Sequence, residues 1–448
     1  MGSIIFLPGI LGTRLYLGTE EIWPPTIQEY LTHYGRIEKL LDPGVTSGDP
    51  IDAVCMKKVY RGLLDDLTDI ASGRSGAPVR TFHSFGYDWR RDLFDIAVSI
   101  AERIDNLPDD SRSDIHFVGH SMGTLIIRLI LESGKFNKRS WFGNLKTLVS
   151  LAGPHKGAPT ALIRALGLEG SVGLTGPDIQ RMAADPRYPS LYQLFPAPGS
   201  ITVWNDKATA FDGLNLYDSE VSNSLKLSAV NLRRAKALHT VLSKGKAPQG
   251  VRYVFLAGTG EDTWLRINIT AGGTEGRQGK NTGDGTVPLW SAVDPSFPNH
   301  AAPGAHDSMF TNAQVRSLLY KALGARLSGV AFASIAGKPL VSLHVGQQVY
   351  RQDALIDVTL APATPTRTLD GNVVVEFSDS LTATNFRPLA KTALRYQGPE
   401  TDSIKVRFNN FSSPGVYRIG FDGSHEVASD DRVVFAVSED GGSAGGQR

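Results

Sequence analysis

From residue 1 to about 327 the chain alternates short, wholly apolar runs with stretches of helical periodicity. IIFL (4–7), IHFVG (115–119), TLVSLAG (147–153) and VRYVFLAG (251–258) lack the apolar–polar alternation of a half-exposed strand. They predict strands buried on both faces of a parallel sheet. Segments 93–104 and 124–132 repeat apolar residues every three or four positions, as helices packed on such a sheet do. Repetition of strand, loop and helix predicts an α/β fold with connections on both sheet faces.

Two regions break this rhythm. Residues 160–242 include GLEGSVGLTGP and YPSLYQLFPAPG, show no clear strand, and end in an amphipathic helix near 222–242. A long insertion between sheet strands predicts a cap or lid, and a lipid-like substrate would need such a cover over its apolar pocket. Beyond Ser328 the runs PLVSLHVG, LIDVTLA, NVVVEFS, SIKVRFNNF, GVYRIGF and RVVFAVSE alternate apolar and polar residues between turn-rich segments. Six or seven antiparallel strands in an all-β, immunoglobulin-like sandwich over 328–438 are expected, followed by a disordered tail at 439–448.

The sharpest chemical signal is Gly119-His120-Ser121-Met122-Gly123, between the strand IHFVG and the helical run TLIIRLI. This is the G-x-S-x-G nucleophile elbow, in which a strained turn exposes a serine hydroxyl at a helix N-terminus. The pattern recurs at Gly441-Gly442-Ser443-Ala444-Gly445, but with no strand before it, and is read there as low complexity. The fold class expected is therefore an α/β-hydrolase core over 1–327, with its lid insertion at about 160–242, followed by the sandwich.

In that fold the acid and the histidine follow the serine along the chain. Asp284 in GDGTVP, after the strand VRYVFLAG, is the favoured acid; Asp262, nearer the strand end, and Asp294 are rivals. A D-G pair also favours a simple β-turn, and chain order is what raises Asp284 above that reading. His306, just before a helical run, is favoured over His300 as the base. Ser121 would attack an acyl carbonyl while His306 takes its proton and Asp284 fixes the imidazole tautomer.

Composition narrows the alternatives. The 448 residues are 41% hydrophobic and 20% charged, with a formal net charge of +1, so no general attraction to nucleic acid is expected. No run approaches a membrane span, which leaves peripheral contact as the expected mode of meeting a membrane. A single cysteine, Cys55, forms no intrachain disulfide. No Lys or Arg precedes Ile4 and the apolar run breaks at Pro8-Gly9, so the opening stretch is not read as a secretion signal and a cytoplasmic location is expected. Neither C-x-x-C nor H-E-x-x-H spacing occurs, 42–52 lacks EF-hand spacing, and Gly9 to Gly12 lacks the dinucleotide fingerprint; no metal and no cofactor are expected.

With these residues placed, the chain resembles the lecithin–cholesterol acyltransferase family of α/β-hydrolases, particularly its bacterial members. The ordered motifs are LPGILGTRL, IWPP (22–25), YDWRRD (87–92), GHSMG, LAGPHKGAP, YPSLYQLFP, GDGTVP and HDSMF, spread over residues 4–325. The resemblance implies an acyl-ester enzyme of phospholipase or acyltransferase character. It also implies an oxyanion hole built from the backbone N–H groups of Ile10 and Met122. The plasma enzymes of the family hold their lid with disulfides that this chain does not offer. The chain also opens on the oxyanion strand, so the first strands of the full sheet are expected to be absent.

Other residues have two readings each. Trp23 lines the acyl pocket or packs the core, and Tyr192 and Leu194 of the lid segment LYQLF face lipid or pack on the hydrolase core. Tyr87-Asp88-Trp89-Arg90 and His155 are read as loop structure and His120 as a packing or hydrogen-bonding residue. The function expected is lipid ester hydrolysis through an acyl-enzyme, with transfer to an alcohol left open. An amidase or peptidase with the same three residues is one alternative. A targeting protein whose sandwich binds a protein or glycan partner is the other.

Overall fold

The computed structural model describes residues 2–54, 57–206, 212–326, 341–345, 349–362, 365–379, 385–401, 403–409, 411–423 and 432–438. The expected domain boundary at 328, the tail at 439–448 and the second G-x-S-x-G at 441–445 lie outside these residues.

Six strands form the central sheet: β1 (Gly2–Leu7), β2 (Arg80–Ser84), β3 (Ile115–His120), β4 (Leu145–Leu151), β5 (Arg252–Thr259) and β6 (Asn299–Pro303). Their order is β6-β5-β4-β3-β1-β2, and every neighbouring pair is parallel. Successive residues of the apolar runs enter different cores. Ile5, Leu7 and Phe117 pack on one face, while Ile4, Phe6 and Val118 pack on the other. This double burial is why the runs show no alternation. Helices α1 (Arg61–Ala71), α2 (Leu93–Asp105), α3 (Met122–Glu132) and α4 (Ala313–Ala322) cover the sheet. α2 and α3 supply Ile96, Ile100, Leu125 and Leu129 to the first core; α1 and α4 supply Leu63, Leu67, Val315 and Leu319 to the second. Asp92 caps α2 by accepting from the Phe94 N–H at 3.0 Å.

β1 and β3 lie side by side at the centre, and the chain leaves their carboxyl ends toward opposite faces. Such a switch point opens a crevice at the sheet edge. The loops after β1, β3, β5 and β6 all leave from this edge.

Between Pro159 and Lys244 lie helices Pro159–Ala165, Gly176–Ala184 and Ala229–Lys244, with shorter turns between. Contrary to the expectation of no strand here, Val203–Asn205 and Asp212–Leu214 join a four-stranded sheet with the hairpin Glu261–Thr270 and Gly273–Gly283. Three-residue strands are too short to show a period, and the partner of the first lies some 60 residues onward. The glycine-rich stretch before Asp284 is thus the return strand of a hairpin, not a loop.

The C-terminal region is all β. Val341–Val345, Ile356–Pro362 and Ile404–Phe408 form one antiparallel sheet, and Val349–Arg351, Arg432–Ser438, Gly415–Gly423, Thr366–Ser378 and Arg387–Thr401 form another. Val358 and Leu360 of the first share an apolar core with Val373, Val375, Ile419 and Phe421 of the second. Eight strands are present among the described residues rather than six or seven, and Val349–Arg351 pairs parallel to Arg432–Ser438 rather than antiparallel.

Candidate active site

Ser121 stands between β3 and α3 with φ +50° and ψ −124°. A side-chain-bearing residue at positive φ costs about 1–3 kcal/mol, and its surroundings must hold it there. They do so by close approach. A Cβ on Gly119 would meet Thr124 Cα at 2.8 Å, and one on Gly9 would meet the Ser121 Cβ at 2.9 Å. The Ser121 N–H donates to the Leu151 carbonyl at 2.9 Å, tying the elbow to β4.

His306 Nε2 lies 2.9 Å from Ser121 Oγ, and its Nδ1 lies 2.8 Å from Asp284 Oδ2. The Asp284 carboxylate is buried, and its Oδ1 accepts from the N–H groups of Thr286 (3.0 Å) and Val287 (2.7 Å). The His306 N–H donates to the Asp284 carbonyl at 2.8 Å, so the two loops are joined through backbone as well as side chain. With Nδ1–H directed at a carboxylate, Nε2 is bare and faces the hydroxyl. Such an array can withdraw a serine proton and hold the resulting imidazolium. Asp262, Asp294 and His300 stand apart from it. Asp262 accepts from the exposed Asn281 N–H, Asp294 closes a local turn, and His300 is exposed on the edge strand β6.

The loop after β1 is fastened by three aromatic tips. Trp23 Nε1 donates to the Leu11 carbonyl (2.8 Å), Tyr87 Oη donates to the Pro8 carbonyl, and Tyr60 Oη accepts from the Gly9 N–H (2.9 Å). Leu11 itself sits at φ +65°. Among the described residues, neither the Ile10 N–H nor the Met122 N–H has a hydrogen-bond partner. Two unused backbone donors, one beside Gly9 and one at the first position of α3, therefore flank Ser121.

Residues 53–242 match the lecithin:cholesterol acyltransferase family model. Over these residues the chain is similar to that family. The family is named for acyl transfer from lecithin to cholesterol. The match spans the elbow and most of the insertion between 159 and 244 but ends before Asp284 and His306. Likeness to solved structures is slight. The product of gene lin2722 from Listeria innocua is 11% identical at a TM-score of 0.33, with 72% of this chain and 94% of that one covered. A CARDB domain of the PF1109 protein from Pyrococcus furiosus is 16% identical at a TM-score of 0.16, with 22% and 88% covered.

Elsewhere in the protein, Trp23 is wholly buried and packs edge-on against Trp89 and Tyr34. Tyr192 is buried, stacks on Phe195 and accepts from the Ser228 N–H at 2.9 Å; Leu194 is buried in the same core. Arg90 is buried and gripped by Asp88 and the Leu40 carbonyl, which ties the YDWR segment to its neighbour loop. His155 stacks on Phe255 with Nε2 against Ser150 Oγ (3.1 Å) and Nδ1 against Arg128. Burial, then the Arg128 charge, holds its pKa well below the usual value, so the ring is neutral. Among the described residues no helix is long and apolar enough to cross a membrane, and no group of three or more His, Cys, Asp or Glu is arranged to hold a metal ion.

Tyr60 belongs to this site although no sequence pattern marks it. It sits in VYRG, a segment with no motif, and only the fold carries its hydroxyl to the loop after β1.

Proposed function

We propose that the protein is a serine hydrolase of lipid acyl esters that works through an acyl-enzyme. Ser121 is the nucleophile, His306 the general base and then acid, and Asp284 the group that orients and stabilises the imidazolium. The single observation that carries this reading is the unbroken chain Asp284 Oδ2–His306–Ser121 Oγ, at 2.8 and 2.9 Å. Ile10 and Met122 donate backbone hydrogen bonds to the oxyanion; each such donor is worth about 3 kcal/mol of barrier because it needs no reorganisation as charge develops. His306 passes the serine's proton to the departing alcohol as the ester bond breaks; it then takes a proton from water or an acceptor alcohol, which attacks the acyl-enzyme, and returns that proton to Ser121 as the acyl group leaves. On this reading the insertion between 159 and 244 acts as a cap, and Trp23, Tyr192 and Leu194, buried as they stand, would meet a hydrocarbon chain only once that cover opens.

The test is acyl release from phospholipid, triacylglycerol and short p-nitrophenyl esters, beside matched amides, with lipid mass spectrometry of the products. Ester turnover that Ser121→Ala abolishes is the expected result. No ester turnover by the parent, or faster turnover of the amides, would count against it.

A further inference from the structure

His120, the residue before Ser121, is buried with both ring nitrogens engaged. Its Nε2 lies 2.9 Å from the His306 carbonyl oxygen and its Nδ1 lies 2.7 Å from Tyr60 Oη. A carbonyl only accepts, so Nε2 carries the hydrogen. Burial, then the neighbouring His306, pushes the pKa of His120 down to about 3, so the ring is neutral and Nδ1 is bare. Nδ1 therefore accepts from the Tyr60 hydroxyl. That hydroxyl in turn accepts from the Gly9 N–H at 2.9 Å. The bonds run in one direction: Gly9 N–H to Tyr60, Tyr60 to His120, His120 to the His306 carbonyl. The His306 N–H continues it to the Asp284 carbonyl.

We propose that Tyr60 and His120 are positioning residues that set the loop bearing Ile10 against the loop bearing His306 through one continuous hydrogen-bond relay. The inference rests on the roles given to Ser121, His306 and Ile10 above. Tyr60 and His120 are both buried, so the relay would act through the two loops it joins. Phe6 and Phe310 hold the Tyr60 ring at centroid distances of 5.1 and 5.9 Å, and the His120 ring sits 4.9 Å from that of His306. Sharing one relay, the oxyanion donor and the base keep their spacing when either loop shifts. A neutral ring beside His306 also adds no charge that would oppose formation of the imidazolium.

Tyr60→Phe removes the hydroxyl and keeps the ring. On a soluble acyl ester, kcat is expected to fall roughly 10-fold, less than the 100-fold that a 1 Å misplacement costs. KM stays within about 2-fold, and affinity for an alkylboronic acid, which forms a tetrahedral adduct on the serine, falls by the same factor as kcat. His120→Asn reaches Tyr60 but not the His306 carbonyl, and the double variant is expected to lose no more than the worse single one. Parental kcat and boronate affinity in Tyr60→Phe, a loss confined to KM or thermal stability, or additive losses would overturn the proposal. Amide hydrogen exchange needs no turnover and separates the two ideas. In Tyr60→Phe, exchange must quicken in both 8–12 and 304–308. Quickening in 8–12 alone overturns the relay, whereas coupled exchange in a parent that turns over no ester would count against the ester reading only.

Discussion

Gly123 touches the backbone of β1: a Cβ there would stand 2.4 Å from the Leu7 carbonyl oxygen and 2.5 Å from that of Pro8. Neither obstacle is a flexible side chain, so the helix or the strand must move. Gly123→Ala is expected to lose about 1–3 kcal/mol of stability, as overpacking does. It also parts the Ile10 and Met122 donors, which lie on either side of the contact. Turnover should drop roughly 100-fold in protein that remains folded, the cost of about 1 Å of misplacement. Thermal unfolding and ester kinetics on the same sample check both.

The donor at Ile10 is backbone, so side chain and N–H separate cleanly. Ile10→Ala should keep kcat within about 3-fold, and Ile10→Pro, which has no N–H, should lower it by roughly 100- to 1,000-fold. Circular dichroism establishes that the proline variant is folded. Normal turnover by folded Ile10→Pro would remove Ile10 from the oxyanion hole.

Asp284→Asn is isosteric, and its effect follows from the hydrogen bonds. The side-chain oxygen will stay on the Thr286 and Val287 N–H groups, which turns the amide NH2 toward His306. Nδ1 must then accept, Nε2 carries the proton, and the ring no longer serves as base. The kcat is expected to fall by roughly 10⁴ with a nearly unchanged melting temperature, because geometry is kept and only the tautomer is wrong.

Much of this site was legible because its constraints are local. The elbow needs small residues at fixed offsets from Ser121, so Gly119 and Gly123 announce it. Chain order then singled out Asp284 and His306. The α/β core was legible because strands buried on both faces give continuous apolar runs. The small four-stranded sheet was not, since Val203–Asn205 is held by Glu261–Thr270 far along the chain rather than by its own pattern. Tyr60 was invisible for the same reason: one tyrosine acquires its role only when α1 packs beneath β1.

Acid should destabilise the fold through its buried histidines. His120 and His239 are held down to about 3 and about 4, in each case chiefly by burial. The unfolded chain binds these protons near the ordinary value of about 6.5, so between that pH and the folded values it holds more protons than the native state. Stability is complete above about pH 6.5 and falls as pH drops toward the folded values, by about 2 kcal/mol per histidine at pH 5. Chemical denaturation at pH 7 and pH 5 measures the difference. His239→Gln should shrink it, since the amide can still donate to the Phe195 carbonyl that His239 Nε2 now meets.

In the proposed reaction the acyl group rests on Ser121. Acid-quenched reactions of the parent with a long-chain p-nitrophenyl ester, digested and mapped by mass spectrometry, test it directly. One acylated peptide is expected, the one containing Ser121, and none in Ser121→Ala. An acyl group carried by another residue, or parental turnover by Ser121→Ala, would contradict it.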